Sequence, residues 1–418
     1  MAEGGHGGRE RGRASRAGAR RSPLVVFVDN GFAGFEQMAC SLRRRGVHVA
    51  GVEYGPRFRM TTARLTATYW RLRAADSAAQ LAERLRGFAG FDIVDVVCSE
   101  ALLPDVVDAA EQAQCAPDLV SRLRWRLDWS DKAVASLRLR EAGVPVPATV
   151  VLDAEAVSTT ALPSVRFPVV VKAGLGAGGD GVRIVRDGSG LRQAVKDMAR
   201  LQGSLFLEEF VAGRNLCYCA SYGPDGVYQE GVYESLRLDE SSTAPSRAVL
   251  TLDHPGALEV GRRVVEVIGG SGLANIEMME ANDGALSVID LNLRPWGCIE
   301  LLKGAGVEFD RGYLRSLRLA GPAPYELMDG GYRADVYPVA TWDRMEEGPQ
   351  AVLRHFRTSL APMRREVGGR YALAVSAALT VDLLRRQMGG RRSARRPRPL
   401  TPPRGGAAGS AVGSLRQA

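Results

Sequence analysis

Two acidic residues and one amide are spaced so that they can share one face of a β-hairpin. Asp283-Gly284 stands between two alternating apolar runs, which is a strong signal for a two-residue turn. With the turn there, Glu277 lies opposite Asp290, and Asn292 projects from the same face. Oxygen ligands of this kind suit Mg²⁺, or Mn²⁺ as an alternative. The spacing therefore predicts a metal site, and a solvated face with two unrelated acids is the competing interpretation.

A cation follows this group at the same spacing. Arg294 lies two positions past Asn292, so an extended chain projects both side chains from one face. There the guanidinium can contact a phosphate or an oxyanion that develops during a reaction. The arginine makes a purely solvated hairpin face a less satisfactory interpretation.

A glycine-rich loop follows Lys172 and joins two strand-like segments. Its glycines are Gly174, Gly176, Gly178, Gly179 and Gly181. Three of them satisfy a dinucleotide-binding fingerprint, but that fingerprint requires a helix after the loop, and Val182–Val185 reads as a strand. No Walker lysine follows either. The remaining interpretations are a loop whose backbone amides close over phosphate oxygens, and a plain glycine-rich hairpin.

Two further segments carry charges at the end of a predicted element. Asp131 and Lys132 begin a helix predicted over 130–142, where an isolated lysine is usually a surface residue. Residues 205–209 form an apolar strand that ends in two acids and a turn. Each segment is unremarkable on its own.

The elements that position these residues fall into two architectures. The first part alternates strands and helices, which is typical of a parallel α/β layer. Its strands are predicted over 24–29, 47–52 and 91–98, and its helices near 35–45, 76–87 and 104–114. Paired prolines in 143–147 then mark a boundary. The α+β part that follows has predicted strands 167–172, 182–185, 205–209, 273–281 and 286–293, and helices near 190–202 and 256–270.

Composition and charge limit the class of protein. The chain has 418 residues, of which 45% are apolar, enough for two or three packed domains. Its formal charge of +8 comes from arginines near the two ends. We expect both ends to be disordered basic tails, and we expect nucleic-acid binding by neither the tails nor the body. The first tail lacks the apolar segment of a secretory signal.

Hydropathy and cysteine usage point to a cytoplasmic protein. The longest apolar stretch, 371–384, is too short to span a bilayer, and we expect it to form a packed helix. The cysteines match neither a disulfide framework nor the spacing of a zinc site. We therefore expect a reducing compartment, the cytoplasm, and no membrane span.

Taken in order, four of these segments resemble the ATP-grasp superfamily. They are Lys132 in an Asp-Lys helix, Lys172 before a glycine loop, the 208–211 segment, and the group of Glu277, Asp290 and Asn292. The resemblance covers roughly 125–310. The run from Asn292 to Gly297 looks most like the branch that contains carbamoyl-phosphate-synthase-like enzymes and amino-acid ligases.

The resemblance implies a role for each matching residue. Lys132 and Lys172 contact ATP phosphates beneath the 174–181 loop, and Arg294 steadies the transferred phosphate or a tetrahedral intermediate. The expected adenine contacts are Glu208, Glu209, Phe210 and Val211. The expected metal ligands are Glu277, Asp290 and Asn292. Asn215 departs from the pattern, because many members have an acid there to bind the ribose, although an amide can still bond a hydroxyl.

The resemblance also divides the chain. We expect an N-terminal α/β domain of the pre-ATP-grasp type, an ATP-grasp domain with a small lid, and a C-terminal region packed on the core. The expected limits are 1–22 for the first tail, 23–125, 126–320 with a lid near 145–210, 321–388, and 389–418 for the second tail.

The expected reaction joins a small-molecule carboxylate, for which an amino acid is one candidate, to an amine through an acyl phosphate. Carboxyphosphate chemistry and a non-catalytic nucleotide-binding role are the alternatives. The 29–34 turn and the 236–255 stretch, with Arg237 and Arg247, are weaker candidates for substrate contact, and His254 is expected to have a surface or packing role. A homodimer remains open.

Overall fold

A parallel four-stranded sheet forms the N-terminal part of the protein. The computed structural model describes residues 21–29, 33–54, 69, 72–153, 162–176, 181–201, 203–236, 246, 248–336 and 350. The sheet has the order β3-β2-β1-β4, and every neighbouring pair is parallel. Its strands are β1 (Pro23–Asp29), β2 (His48–Tyr54), β3 (Leu72–Ala75) and β4 (Asp92–Val97).

Helices cover both faces of this sheet. They are α1 (Ala33–Arg44), α2 (Ala78–Arg86), α3 (Leu103–Gln112) and α4 (Pro117–Asp128), with a 3₁₀ turn at Glu100–Leu102. Val25 and Phe27 of β1 enter a core shared with α1, while Leu24 and Val26 enter a second core with α2, α3 and α4. Side chains alternate between the two faces of a strand, so β1 is apolar throughout.

A smaller antiparallel sheet lies in the region expected to form the lid, and we call this sheet with its helix the lid. Helix α5 (Lys132–Glu141) leads into it. The lid contains β5 (Thr149–Leu152), β6 (Val169–Ala173), β7 (Val182–Val185), α6 (Gly188–Met198) and β8 (Leu205–Glu209). The strand order is β5-β8-β6-β7. Leu191, Val195 and Met198 of α6 recur at helical spacing and pack on the sheet in a core of their own.

The central layer is a seven-stranded sheet with the order β13-β12-β9-β10-β11-β15, in which β14 pairs with β10. Its elements are β9 (Gly213–Gly223), β10 (Gly226–Leu236), β11 (Ala248–Leu252), α7 (Pro255–Ile268), β12 (Gly272–Ala281), β13 (Leu286–Asn292), a 3₁₀ turn at Leu301–Ala305, α8 (Phe309–Ser316), β14 (Glu326–Leu327) and β15 (Arg333–Asp335). Helix α7 packs on one face, and α1 with α8 packs on the other.

A buried polar junction joins the N-terminal sheet to this layer. Asp95 of β4 accepts hydrogen bonds from Arg126 at 2.7 Å and from Tyr313 of α8 at 2.6 Å. Burial alone would raise the pKa of Asp95, but the adjacent arginines hold it below its usual value. The aspartate is therefore ionised, and it fixes how the two sheets face each other.

The predicted fold class, α/β followed by α+β, is confirmed. The β9–β10 hairpin was not predicted, because most of its residues are buried and the strands show no alternation. Helix α4 was also missed, and it runs across the boundary expected at 125–126. The helix expected over 371–384 and both expected tails lie outside the described residues.

None of the helices in the described part of the chain is long and apolar enough to cross a membrane. The cysteines Cys40, Cys98, Cys115, Cys217, Cys219 and Cys298 are free thiols.

Candidate functional site

The β12–β13 hairpin aligns the two acids as predicted. Glu277 pairs with Asp290, and Asn275 pairs with Asn292. The predicted two-residue turn is wrong. The Ala281 N–H donates to the carbonyl of Ala285 at 2.8 Å, so the loop holds residues 282–284, and Gly284 takes the left-handed conformation with φ +85°. Three-residue hairpin loops use a glycine in this conformation.

Strand β13 contains a β-bulge between this loop and Asp290. Val288 pairs with Met278 and Asp290 pairs with Glu277, so Ile289 is the extra residue between them. The loop is one residue longer than the predicted turn and β13 contains one extra residue, so Glu277 still has its predicted partner, Asp290.

Helix α5 places Lys132 against the hairpin. Asp131 caps the helix by accepting the N–H groups of Ala133 at 3.0 Å and Val134 at 3.2 Å, and Lys132 is the first helical residue. The Lys132 ammonium bonds the carboxylate of Asp290. Burial opposes both charges, but the contact holds the pKa of Asp290 below its usual value and raises the pKa of Lys132.

Strand β6 of the lid brings in the second lysine. Lys172 Nζ donates to the carbonyl of Ile289 at 2.8 Å and forms an ion pair with Glu208 of β8. Burial raises the pKa of Glu208, and Lys172 offsets this only in part. The lid and the hairpin therefore meet through Lys172.

Arg294 pairs with Glu100, a residue that was not predicted to belong to the site. Its Nε donates to the Glu100 carboxylate at 3.0 Å, and its terminal nitrogen donates to Asn292 Oδ1 at 3.0 Å. Glu100 follows β4, at the carboxyl end of a parallel strand, where ligand-binding residues of α/β sheets collect. The position of Glu100 just after a predicted strand could therefore have identified it as a candidate from the sequence.

The segment expected to contact adenine covers the last two residues of β8 and the first two residues of the connection to β9. Glu209 is exposed and its N–H donates to the Ala148 carbonyl at 2.9 Å, while Phe210 and Val211 are partly buried. Asn215 is buried in β9, and its side-chain nitrogen lies 3.8 Å from Met279 Sδ.

The glycine loop closes as a hairpin between β6 and β7, so the strand predicted after it is confirmed. The Ala173 N–H donates to the Gly181 carbonyl at 2.9 Å, and a Cβ built on Gly176 would lie 4.0 Å from Gly181. Gly178 and Gly179 lie outside the described residues. A Cβ on Gly174 would lie 2.4 Å from the Asp131 carboxylate, so a larger residue there would displace the side chain that caps α5.

His254, in one of the weaker candidate segments for substrate contact, does not join the residues around Glu277 and Asp290. His254 Nδ1 accepts the Ala257 N–H at 3.1 Å and caps α7, while its other nitrogen faces Glu280 at 3.0 Å. This agrees with the expected packing role. Arg237, Arg247 and residues 30–32 lie outside the described part of the chain.

The ligand set fits a hard divalent cation. Among the described residues no group of three or more His, Cys, Asp or Glu side chains could hold a metal. The hairpin offers two carboxylates and the amide of Asn292, which is typical of Mg²⁺ because this ion takes its remaining ligands from phosphates and water. Lys132, Lys172 and Arg294 lie around this set with their acidic partners.

Comparisons with known proteins find a matching family model and similar solved structures. Residues 131–215 match the family described as carbamoyl-phosphate synthase L chain, ATP binding domain. A search of curated proteins finds no match. A carboxyaminoimidazole ribonucleotide synthase from Aspergillus clavatus, solved with ATP, is similar in structure with a TM-score of 0.58 and 17% identity, over 73% of this chain and 80% of that one.

Two further solved structures share the fold. The biotin carboxylase domain of 2-oxoglutarate carboxylase from Hydrogenobacter thermophilus gives a TM-score of 0.57 at 17% identity, over 75% of this chain and 74% of that one. An L-amino acid ligase from Bacillus licheniformis gives 0.54 at 17% identity, over 72% and 75%. The chain has the ATP-grasp fold that these proteins share.

Proposed function

We propose that the protein is an ATP-dependent carboxylate–amine ligase that releases ADP and phosphate. The observation that carries the proposal is the convergence of Lys132, Lys172 and Arg294 on the hairpin face of Glu277 and Asp290. Three cations around two carboxylates suit a polyphosphate with its divalent ion, because the cations offset charge that accumulates on the phosphoryl oxygens.

Each residue has a role in this proposal. Glu277, Asp290 and Asn292 hold Mg²⁺, which neutralises charge on the phosphate oxygens when it is bound. Lys132 and Lys172 contact the phosphates, the 174–181 loop covers them, and the 208–211 segment with Asn215 receives the nucleoside. A substrate carboxylate attacks the γ-phosphorus and ADP leaves, which gives an acyl phosphate. An amine then attacks the acyl carbon and expels phosphate, while Arg294 stabilises the negative charge on the tetrahedral oxygen.

Carboxyphosphate chemistry is the second candidate. The Aspergillus enzyme is named for a carboxylated product, and the Hydrogenobacter domain was solved with bicarbonate. Their TM-scores of 0.58 and 0.57 are close to the 0.54 of the amino acid ligase, so similarity of fold does not separate the two reactions.

The test is turnover with MgATP, hydroxylamine and pools of amino acids or other small carboxylic acids. Hydroxylamine intercepts acyl phosphates, so ADP and hydroxamate should appear together with one pool. Asp290→Ala should abolish both signals. The matched control is Asp283→Ala, which removes an exposed acid of the same hairpin away from the site.

The outcomes separate the candidates. ADP that depends on bicarbonate and appears without hydroxamate would favour carboxyphosphate formation. ATP binding without turnover across all pools would favour a non-catalytic binding protein. We further propose a cytoplasmic location, which the free cysteines support, and a homodimer, since the Hydrogenobacter domain was solved as a dimer; sedimentation of the purified chain tests the latter.

A further inference from the structure

The bulge at Ile289 is not required to pair the two acids. Val288 already pairs with Met278, so a strand without Ile289 would place Asp290 directly opposite Glu277. Such a strand would have one regular ladder in place of the irregular one. The extra residue therefore serves something other than the alignment of the metal ligands.

The bulge frees a main-chain carbonyl for the lid. Ile289 has no opposite residue in the β12–β13 register, and its carbonyl oxygen accepts a hydrogen bond from Lys172 Nζ at 2.8 Å. Lys172 belongs to β6, in a different sheet, and its side chain is only 8% exposed. An ammonium has three donors, of which Ile289 and Glu208 take two.

We propose that Ile289 is a positioning residue for Lys172, acting through its main-chain carbonyl. The carbonyl and Glu208 hold the ammonium beside Asp290 and leave a donor for a phosphate oxygen. The bulge thereby sets the distance between the lid cation and the metal ligands. This inference rests on the proposed function, because it takes Lys172 as a phosphate contact.

The decisive variant is deletion of Ile289. It removes the carbonyl and keeps Asp290 opposite Glu277. Binding of the nucleotide and binding of the metal ion should therefore respond differently. We expect the affinity for a fluorescent ATP analogue, measured with EDTA and without metal, to fall about 10-fold, the size expected for a lost hydrogen bond to a charged group. Binding of Mn²⁺ without nucleotide, measured by electron paramagnetic resonance, should stay unchanged.

Two matched controls separate the carbonyl from other effects. Ile289→Ala keeps the main chain and should bind the ATP analogue as the parent protein does. Deletion of Asn282 shortens the same hairpin by one residue at its exposed loop and should also leave that affinity unchanged. Loss of affinity in either control would overturn the proposal.

A double-mutant cycle distinguishes a direct effect on Lys172 from a general structural effect of the bulge. In Lys172→Met, deletion of Ile289 should cause no further loss of ATP affinity, because the partner of the carbonyl is already absent. Additive losses would mean that the bulge supports the site in a general way, and would overturn the proposal.

A second measurement does not depend on folding of the deletion variant. With ¹³C-carbonyl isoleucine, the Ile289 resonance, assigned through Ile289→Val, should shift in Lys172→Met. An unmoved resonance overturns the inference. If the parent protein itself fails to bind ATP, the proposed function falls, and this inference falls with it. If the parent binds ATP and the deletion variant binds it equally well, only the inference on Ile289 is overturned.

Discussion

The ion pairs on the β12–β13 hairpin and those between α1 and α8 differ in how far solvent reaches their acids. In the first, the side chains of Lys132 and Asp290 are 11% and 22% exposed. In the second, those of Glu300 and Asp310 are 6% and 2% exposed. Both regions concentrate charge, but only the first leaves an acid that a ligand can reach.

The partners of the second cluster explain its role. Asp310 of α8 accepts Arg45 Nε at 2.6 Å and lies 2.8 Å from Ser41 of α1, which is also 3.0 Å from Glu300. Lys303 donates to the same serine at 2.8 Å. These contacts join the N-terminal domain to the C-terminal part of the core. Buried charge alone therefore does not indicate a catalytic site.

The largest expected effect is on the hairpin. Asp290→Ala removes a proposed metal ligand and the partner of Lys132, and should lower ATP turnover by about 1,000-fold, as for loss of one group that stabilises charge in a transition state. Circular dichroism should show a folded protein. ADP release at the parental rate would remove the hairpin from the active site.

The second cluster should respond in stability. Asp310→Ala leaves Arg45 and Lys303 facing a buried position without the carboxylate, and should lower the free energy of unfolding by about 3 kcal/mol in urea denaturation. Glu308→Ala is the matched control, since Glu308 pairs with the same Arg45 but is 38% exposed, and should cost less than about 1 kcal/mol. Equal costs for the two variants would contradict the comparison.

Glu100 shares a feature with each of the two regions. Its side chain is as buried as those of Glu300 and Asp310, but it contacts Arg294 beside the hairpin. Glu100→Gln weakens the hold on Arg294, which in turn bonds the proposed metal ligand Asn292. We expect a loss of about 10- to 100-fold in Mg²⁺ affinity, the range for partners of metal ligands. The Mg²⁺ dependence of ADP release measures it, and an unchanged dependence would make Glu100 purely structural.

The smallest expected effect concerns pH. Burial raises the pKa of Glu300 to about 7, from an ordinary value of 4.5. The folded protein therefore binds more protons than the unfolded chain between these values, and stability falls as pH rises through this window, by up to about 1.4 kcal/mol per pH unit. Glu300→Gln should flatten the slope in urea denaturation at pH 5 to 7. If the free energy of unfolding still falls with pH in the variant, another titrating group causes the dependence.

The hairpin shows how far sequence reasoning reached. The pairing of Glu277 with Asp290 was predicted and is confirmed, although the turn was wrong and the bulge was not foreseen. The Asp-Gly signal and the period of two located the turn to within one residue. The alternating pattern of a strand does not reveal a bulge, because an extra residue changes the pairing without changing the composition of the segment.

The central sheet contains the strands that the sequence did not predict. Strands buried on both faces, such as β9 and β10, have no alternation, so no period distinguishes them from other apolar segments. Strands β1, β2 and β4 of the N-terminal sheet were predicted because helical segments and turns separate them along the chain, whereas the four-residue strand β3 was missed.

By itself, the sequence determined the elements whose signals are local: the hairpin, the capped Asp131-Lys132 helix start, the glycine loop between two strands, and the order of these motifs. Only the tertiary structure decided which charges meet. Lys132 and Asp290 are 158 positions apart, and Glu100 and Arg294 are 194 apart. Propensity and periodicity act over one element, whereas these contacts depend on how the sheets pack on each other, and that packing is set by the whole core.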